Sequence, residues 1–293
     1  MFDLQTYLSR NALLVEDYLR DVLNGLRDRP QVLFEAVEYS LFSGGKRIRP
    51  ALVIASAEAV GGLAENVLPF ACGIEMIHTF SLIHDDLPSM DNDDERRGKP
   101  SCHKAFGEGV AVLAGDALLA EGFALMANTG LWKDVYAHEA VEVIHAIAAA
   151  VGLRGMSMGQ SMDLSLQGKN ADLQALEAME RAKTGALIRA SVFAGARLAG
   201  ATDDEIASLT SYGEKIGLAF QIRDDLLDAP AKGRASGSDK TLRKATFPSI
   251  LGVEESKKRM ESLIDGALSS LDQFGSKADP LRELASFISG RDF

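Results

Sequence analysis

The stretch VLPFACGIEMIHTFSLIHDDLPSMD, residues 67–91, decides the fold of this chain. Within it Val67, Phe70, Ala71, Ile74 and Ile77 recur at i, i+3, i+4, i+7 and i+10, the spacing of one helix face. The apolar run ends abruptly in His84, Asp85 and Asp86, with Pro88 to break the helix and Asp91 beyond it. Working outward, no proline occurs between Pro100 and Pro230, and apolar residues alternating at period two are hard to find. Helix starts are marked elsewhere. Thr202 with Glu205 three residues on makes a capping box, while Pro280 after Asp279, and Pro50 before ALVIASAEAV, each put a proline in a first turn. The expectation is an all-α protein. No solenoid-length repeat and no low-complexity linker divides it, so one domain is expected over 1–293. The segment 229–246, APAKGRASGSDKTLRKAT, gathers small, polar and basic residues and reads as a mobile loop.

The 293 residues carry 31 Lys and Arg against 42 Asp and Glu, a net charge of −11, and 46% are hydrophobic. That balance argues against a nucleic-acid footprint, which needs an excess of cations on one face. Cys72 and Cys102 are the only cysteines, with no spacing for a zinc site or a disulfide framework. A reducing, cytoplasmic setting is expected. The start MFDLQTYLSR lacks a basic segment followed by an apolar one, and no uninterrupted apolar stretch approaches the ~20 residues of a spanning helix. Neither export nor a membrane span is therefore expected.

Two acidic clusters carry the chemistry. On an unbroken helix, residues six apart lie about 120° off a common face, so Asp85 and Asp91 converge only if Pro88 bends the chain. Carboxylates at the end of an apolar helix are costly unless neutralised, and Mg²⁺ is the favoured answer because it joins a few carboxylates to substrate phosphates. A solvated acidic loop is the plain alternative. An EF-hand fails, with Arg96 where its glycine belongs and Cys102 where its bidentate Glu belongs. In the second cluster Asp224 and Asp228 are four apart, about 40° around a helix, so both share one face. Gly213, Gly217 and Gln221 continue that face upstream. The glycines either leave space beside the helix or let another helix pack close. A pair of aspartates at each of two helix ends suggests a clamp for two or three metal ions.

Cations accompany the clusters. Ser43 to Pro50, SGGKRIRP, is a glycine turn entering a helix N-terminus, where backbone N–H groups favour an anion, and Lys46 and Arg49 add charge. It is not a Walker A loop, since Ser40 holds the first glycine position and Arg47 the Ser/Thr position. Arg96 and Arg97 follow the first cluster directly. Lys183 lies on the stripe Leu176, Met179, Lys183, Ala186 and Ala190, where it is expected to meet an anion or to reach solvent along its stem. His78 shares a face with Ser81 and Asp85. No nucleophile elbow and no dinucleotide fingerprint is present. Carboxylates for metal, several cations, apolar helices and no nucleophile together describe a site for a diphosphate with an apolar tail, ionised to a carbocation that an alkene attacks.

At these residues the chain resembles the trans-prenyl diphosphate synthases, the farnesyl/geranylgeranyl diphosphate synthase family. DDLPSMD followed by RRG is similar to that family's first aspartate-rich motif, and DDLLD (224–228) to its second. GGKRIRP (44–50), VLAGDALL (112–119), MGQSMDL (158–164), KTGALIRAS (183–191) and KATFP (244–248) match in order, so the resemblance covers nearly the whole chain. It implies an isoprenoid-synthase helical bundle around a central apolar cavity, usually homodimeric. It implies Mg²⁺, three ions with substrate bound, on Asp85, Asp91 and Asp224, with Asp86 and Asp228 in support. Lys46, Arg49, His78 and Arg97 would hold isopentenyl diphosphate. Arg96, Lys183, Thr184, Gln221 and Lys244 would hold the allylic diphosphate, dimethylallyl or geranyl, with Lys183 and Thr184 facing the developing cation.

Two departures stand out: Gly237-Ser238-Asp239 replaces a common Gly-Lys-Asp, and Ala229-Pro230 follows the second motif. Phe80 and Ser81, five and four residues before Asp85, lie about 6 to 7.5 Å down the helix, near the path of a growing tail. An aromatic there resembles the farnesyl-forming pattern, so a C15 product is expected, with C20 as second reading. A class I terpene cyclase needs a second metal motif that Asp228 and Lys232 do not supply. A non-catalytic subunit of a heteromeric synthase is expected to lose one acidic motif, and this chain keeps both.

Overall fold

The structure is a computed structural model that describes residues 2–26, 31–169, 171–229 and 245–290. Asp3 accepts a hydrogen bond from the Thr6 backbone N–H and so starts helix α1 (Leu4–Asn24). Helices α2 (Gln31–Leu41), α3 (Ile48–Ala59) and α4 (Ala64–Asp85) follow. Beyond the acidic turn a two-residue antiparallel ladder pairs β1 (Glu95–Arg96) with β2 (Lys99–Pro100), Glu95 opposite Pro100 and Arg96 opposite Lys99. Next come α5 (Cys102–Phe106), α6 (Glu108–Met126), α7 (Ala137–Val151), α8 (Met156–Leu166) and α9 (Leu173–Glu180). A π turn, Arg181–Gly185, joins α9 to α10 (Ala186–Leu198). The remaining helices are α11 (Asp203–Asp228), α12 (Phe247–Leu251), α13 (Val253–Ser269) and α14 (Asp279–Ser289). The chain is all-α, as its periodicity predicts. The Thr202–Glu205 capping box starts α11, and Pro280 sits in the first turn of α14.

Helices α3 and α10 form the seam of the bundle. Val53, Ile54 and Ala57 of α3 pack into one core with α1, α2, α4, α6 and α7, while Ala51, Leu52 and Ala55 pack into a second with α11, α13 and α14. In the same way, Leu187 and Ala194 of α10 join the first core and Ile188 and Val192 the second. Small residues on both seam helices let them approach closely enough for each to serve two cores. The first turn of α3, the last turns of α4 and α11, and the segment after α4 carry the acidic and basic motifs.

One sequence expectation changes here. Helices α4 and α6, and the stretch 137–166, are long and apolar enough to cross a membrane by length and composition. In α4, 72% of the apolar window is buried inside the bundle, whereas in α6 only 39% is. The apolar character of α4 is therefore consumed by the fold, and part of that of α6 is not. Cys72 and Cys102 are both free and buried.

Candidate active site

Helix α4 stops at Asp85, and the chain folds back so that the Asp91 backbone N–H donates to the Asp85 carbonyl oxygen at 2.9 Å. This turn is what the predicted bend at Pro88 produces. It brings the charge of Asp91 onto the Asp85 carboxyl, which burial first and Asp91 next raise to a pKa of about 6, against the pull of Lys183 and Arg96. Asp86 does something different. Only 2% exposed, it takes the Arg96 guanidinium, with Arg96 Nε at 3.0 and 3.2 Å from its two oxygens. The carboxylate expected among the metal ligands is thus spent on Arg96, because the hairpin at 95–100 returns that arginine against the end of α4.

The glycine turn 43–47 is a second arm of the same site. Gly45 has φ +124°, a backbone conformation that favours glycine, and the Arg97 guanidinium lies against it, its carbon 2.6 Å from where a Cβ would stand. Arg97 donates to the Gly44 carbonyl oxygen. Arg49 Nη1 donates to His78 Nε2 at 3.1 Å. A guanidinium can only donate, so His78 accepts at Nε2 and carries its proton on Nδ1. Burial and the surrounding Arg49, Arg97, Arg47 and Arg96 hold His78 well below its usual pKa, hence neutral. Arg49, His78 and Arg97 are therefore gathered in one place. The Lys46 ammonium lies 5.1 Å from the centre of the Phe287 ring on α14.

Arg47 is a residue that motif reading left without a role. It caps α3 in a left-handed conformation, φ 49°, and reaches Glu75 at 2.7 Å, Glu16 at 3.0 Å and the Leu41 carbonyl oxygen at 2.7 Å. Three helices are tied beneath the glycine turn by one buried cation. The signal in the sequence was Glu75, a lone glutamate inside the apolar run 67–77.

Lys183 and Thr184 stand on the π turn, not on the regular stripe expected. The wider turn breaks the register between Met179 and Ala186, a feature frequent at functional sites. Lys183 Nζ meets Asp163 Oδ2 on α8 at 2.5 Å. Two glycines hold this turn: a Cβ on Gly159 would lie 2.2 Å from the Lys183 nitrogen, and one on Gly217 would lie 2.9 Å from the Gly185 Cα. A Cβ on Gly213 would likewise meet the Arg189 Cα at 3.2 Å. The glycine face of α11 thus serves close packing and leaves no open space. Asp224 and Gln221 are half-buried at the end of α11 and Asp228 is exposed. The charge of Asp224 reaches Arg49. Asp225 Oδ2 accepts from the Phe247 backbone N–H at 2.8 Å, which ties α11 to α12. Lys244, and most of the loop 229–246, lie outside the described residues.

Ser81 lies about 40° around α4 from Asp85, on its face, whereas Phe80 lies about 140° away and faces α6. The Phe80 ring stands edge-on to His84, centroids 4.8 Å apart, and His84 Nε2 is 3.1 Å from the Val112 carbonyl oxygen of α6. An apolar cavity of ≈ 230 Å³ between α1, α2, α4 and α6 is lined by Met76, Val37 and Leu118. Met76 is about 180° around α4 from Asp85, so this cavity lies behind the helix and not beneath the acidic turn.

No three carboxylates, imidazoles or thiolates converge closely enough among the described residues to hold a metal ion by themselves. The donor set still fits Mg²⁺, which takes one or two carboxylates and completes its octahedron with water and substrate phosphate. The buried, charge-crowded Asp85 is the kind of carboxylate that gains most from a cation.

The sequence profile described as Polyprenyl synthetase matches residues 30–278. The chain belongs to the polyprenyl synthetase family. It is 46% identical to a geranylgeranyl diphosphate synthase of Cyanophora paradoxa over 99% of this chain and 97% of that protein. It is 44% identical to a dimethylallyltranstransferase of Fischerella ambigua over 99% and 84%. Among solved structures it is similar to an FPP/GFPP synthase of Zymomonas mobilis, with 38% identity, a TM-score of 0.87, and 98% and 99% of the two chains covered. The activity is that of a trans-prenyl diphosphate synthase, a prenyltransferase acting on isopentenyl and allylic diphosphates.

Proposed function

We propose that the product is farnesyl diphosphate, made from isopentenyl diphosphate with dimethylallyl or geranyl diphosphate. What supports this is Phe80, an aromatic five residues before Asp85, whose ring stands edge-on to His84 on the α6 side of α4. A second reading, geranylgeranyl diphosphate, is favoured by the 46% identity to the Cyanophora enzyme and by Ser81, a small residue on the Asp85 face itself. Product sizing separates them. With labelled isopentenyl diphosphate and either primer, mainly C15 prenol after dephosphorylation supports the first, and mainly C20 the second. Phe80→Ala should lengthen the products; an unchanged profile removes Phe80 from the argument.

In this reading Asp85, Asp91 and Asp224, with Asp228, would hold Mg²⁺, which supplies charge neutralisation for the departing diphosphate. Arg49, His78 and Arg97 bind isopentenyl diphosphate, with Lys46 turned in from Phe287. Arg96, oriented by Asp86, meets the allylic diphosphate together with Lys183, Gln221 and Lys244. Thr184, on the π turn, faces the allylic carbon as the C–O bond breaks, and the apolar helices exclude water from the cation. The diphosphate released then collects the proton lost on coupling, so no side-chain base is required. We also propose a homodimer in the cytoplasm. Exposed Val112 and Leu113 of α6, with Val141 of α7, give a second copy an apolar face to cover. Sedimentation at micromolar protein tests it, a monomer being the adverse result.

A further inference from the structure

Two rungs join the entry to α3 with one face of α4. Arg47 Nη1 meets Glu75 Oε1 at 2.7 Å, and two residues on, Arg49 Nη1 meets His78 Nε2 at 3.1 Å. Glu75 and His78 are three apart on α4, one turn along the same face. The rungs differ in what holds them. Arg49 makes a single hydrogen bond among the described residues and its Nε is buried without a partner, so its place is set by the backbone of the first turn of α3. That backbone starts from Arg47, whose φ of 49° lies in the left-handed region that favours glycine and is held there by its side-chain contacts. Charge balance alone does not require Glu75, since Glu16 already faces Arg47 at 3.0 Å. But Glu16 is 28% exposed and Glu75 only 2%, so Glu75 is the grip that water cannot replace. It is also a costly one: its Oε2 is buried without a partner, and a carboxylate beside cations weakens their pull on a diphosphate.

We propose that Glu75 is a positioning residue: by holding Arg47 in its left-handed cap it sets Arg49 against His78, and so shapes the site for isopentenyl diphosphate. The inference rests on the reading of Arg49, His78 and Arg97 as that site. Without the Glu75 charge, Arg47 keeps only its half-exposed partner, the cap relaxes, and Arg49 leaves its register with His78. Arg96 and Lys183 hang from the 95–100 hairpin and the π turn, to which Arg47 makes no hydrogen bond, so the allylic side is spared.

Steady-state kinetics of the full-length protein, with each substrate varied in turn, test this. Glu75→Gln keeps the shape and removes the charge; KM for isopentenyl diphosphate should rise about tenfold, while KM for geranyl diphosphate and kcat stay within about threefold. The direction is decisive, because removing a negative charge near a diphosphate would by itself lower that KM. Arg47→Met together with Glu75→Gln removes one charge of each sign along with the tie and leaves no buried charge unpaired. It should raise the same KM at least as much, and it carries the test if Glu75→Gln does not fold. A KM for isopentenyl diphosphate that is unchanged or lower in either variant overturns the inference. So does an equal rise for both substrates, which would make the tie a support of the whole bundle. Arg49→Gln is the control on the site itself: it should raise KM for isopentenyl diphosphate far more than KM for geranyl diphosphate. The reverse would bring down the reading of that site, and this inference with it.

Discussion

Each acidic motif opens with two adjacent aspartates, and the two pairs divide their work in the same way. At 85–86, Asp85 carries the crowded charge of the site while Asp86 is buried on Arg96. At 224–225, Asp224 stands within reach of the Arg49 charge while Asp225 holds the first N–H of α12. The second member of each pair is an anchor, but the anchors differ in strength. Asp86 grips a charged guanidinium with both oxygens in a buried setting, and Asp225 accepts from the neutral Phe247 backbone N–H. A helix end that must present one carboxylate gains from spending its neighbour on fixing the adjoining loop, and the strength of the grip sets how rigid that loop is.

The largest effect is expected at the first positions. Asp85→Asn and Asp224→Asn should each lower kcat by on the order of 10³-fold with either primer, since each removes a ligand of the Mg²⁺ that would neutralise the departing diphosphate. For Asp85 a stability effect of opposite sign should accompany the loss. Its folded pKa of about 6 lies above the ordinary 3.8, so the metal-free fold is penalised as pH rises through that window and the penalty is constant above it. The melting temperature of metal-free wild type, relative to Asp85→Asn, should therefore fall between pH 4 and 6 and then level off. A difference independent of pH would show that the crowding of Asp85 is not electrostatic.

Next in size is the Asp86 anchor. Arg96→Ala leaves a carboxylate that is 2% exposed without its cation, and should cost about 3 kcal/mol in folding stability, read from denaturant unfolding. Arg96→Lys should recover part of the stability and little of the activity, because a point charge cannot bridge both oxygens. If Arg96→Ala loses activity and no stability, Asp86 is not an anchor, and the likeness between the two pairs ends there.

Much of this arrangement was legible beforehand, and the exceptions have physical causes. The run at 67–77 and the Thr202 box announce helices because period and capping are local properties. Gathering Arg49, His78 and Arg97 needs only that a glycine turn and a post-motif loop meet, which the motifs signal. The π turn is invisible: one extra residue in a turn changes which face Lys183 occupies without changing composition. The packing role of Gly213 and Gly217 could not be told from open space, since a missing Cβ says nothing of what fills its place. Asp163 left a faint mark, a carboxylate on the same helical face as Met156, Gly159 and Gln160, all buried. The fate of Asp86 depended on a six-residue hairpin with two-residue strands, too short to read from alternation.

The smallest effects are expected at the Asp225 anchor. Asp225→Ala removes the acceptor for the Phe247 N–H, and a lost cap of this kind costs about 1 kcal/mol. Asp225→Asn keeps an acceptor oxygen and should cost a few tenths of that. Both should leave the Asp85 side of the site intact, so any fall in kcat must come through α12 and the chain that leads into it. Hydrogen exchange over 247–251 reads the anchor directly: protection should drop in the alanine variant and hold in the asparagine variant. If exchange is unchanged in both while kcat falls, Asp225 acts on substrate or metal itself, and the second pair is then two ligands where the first is a ligand and an anchor.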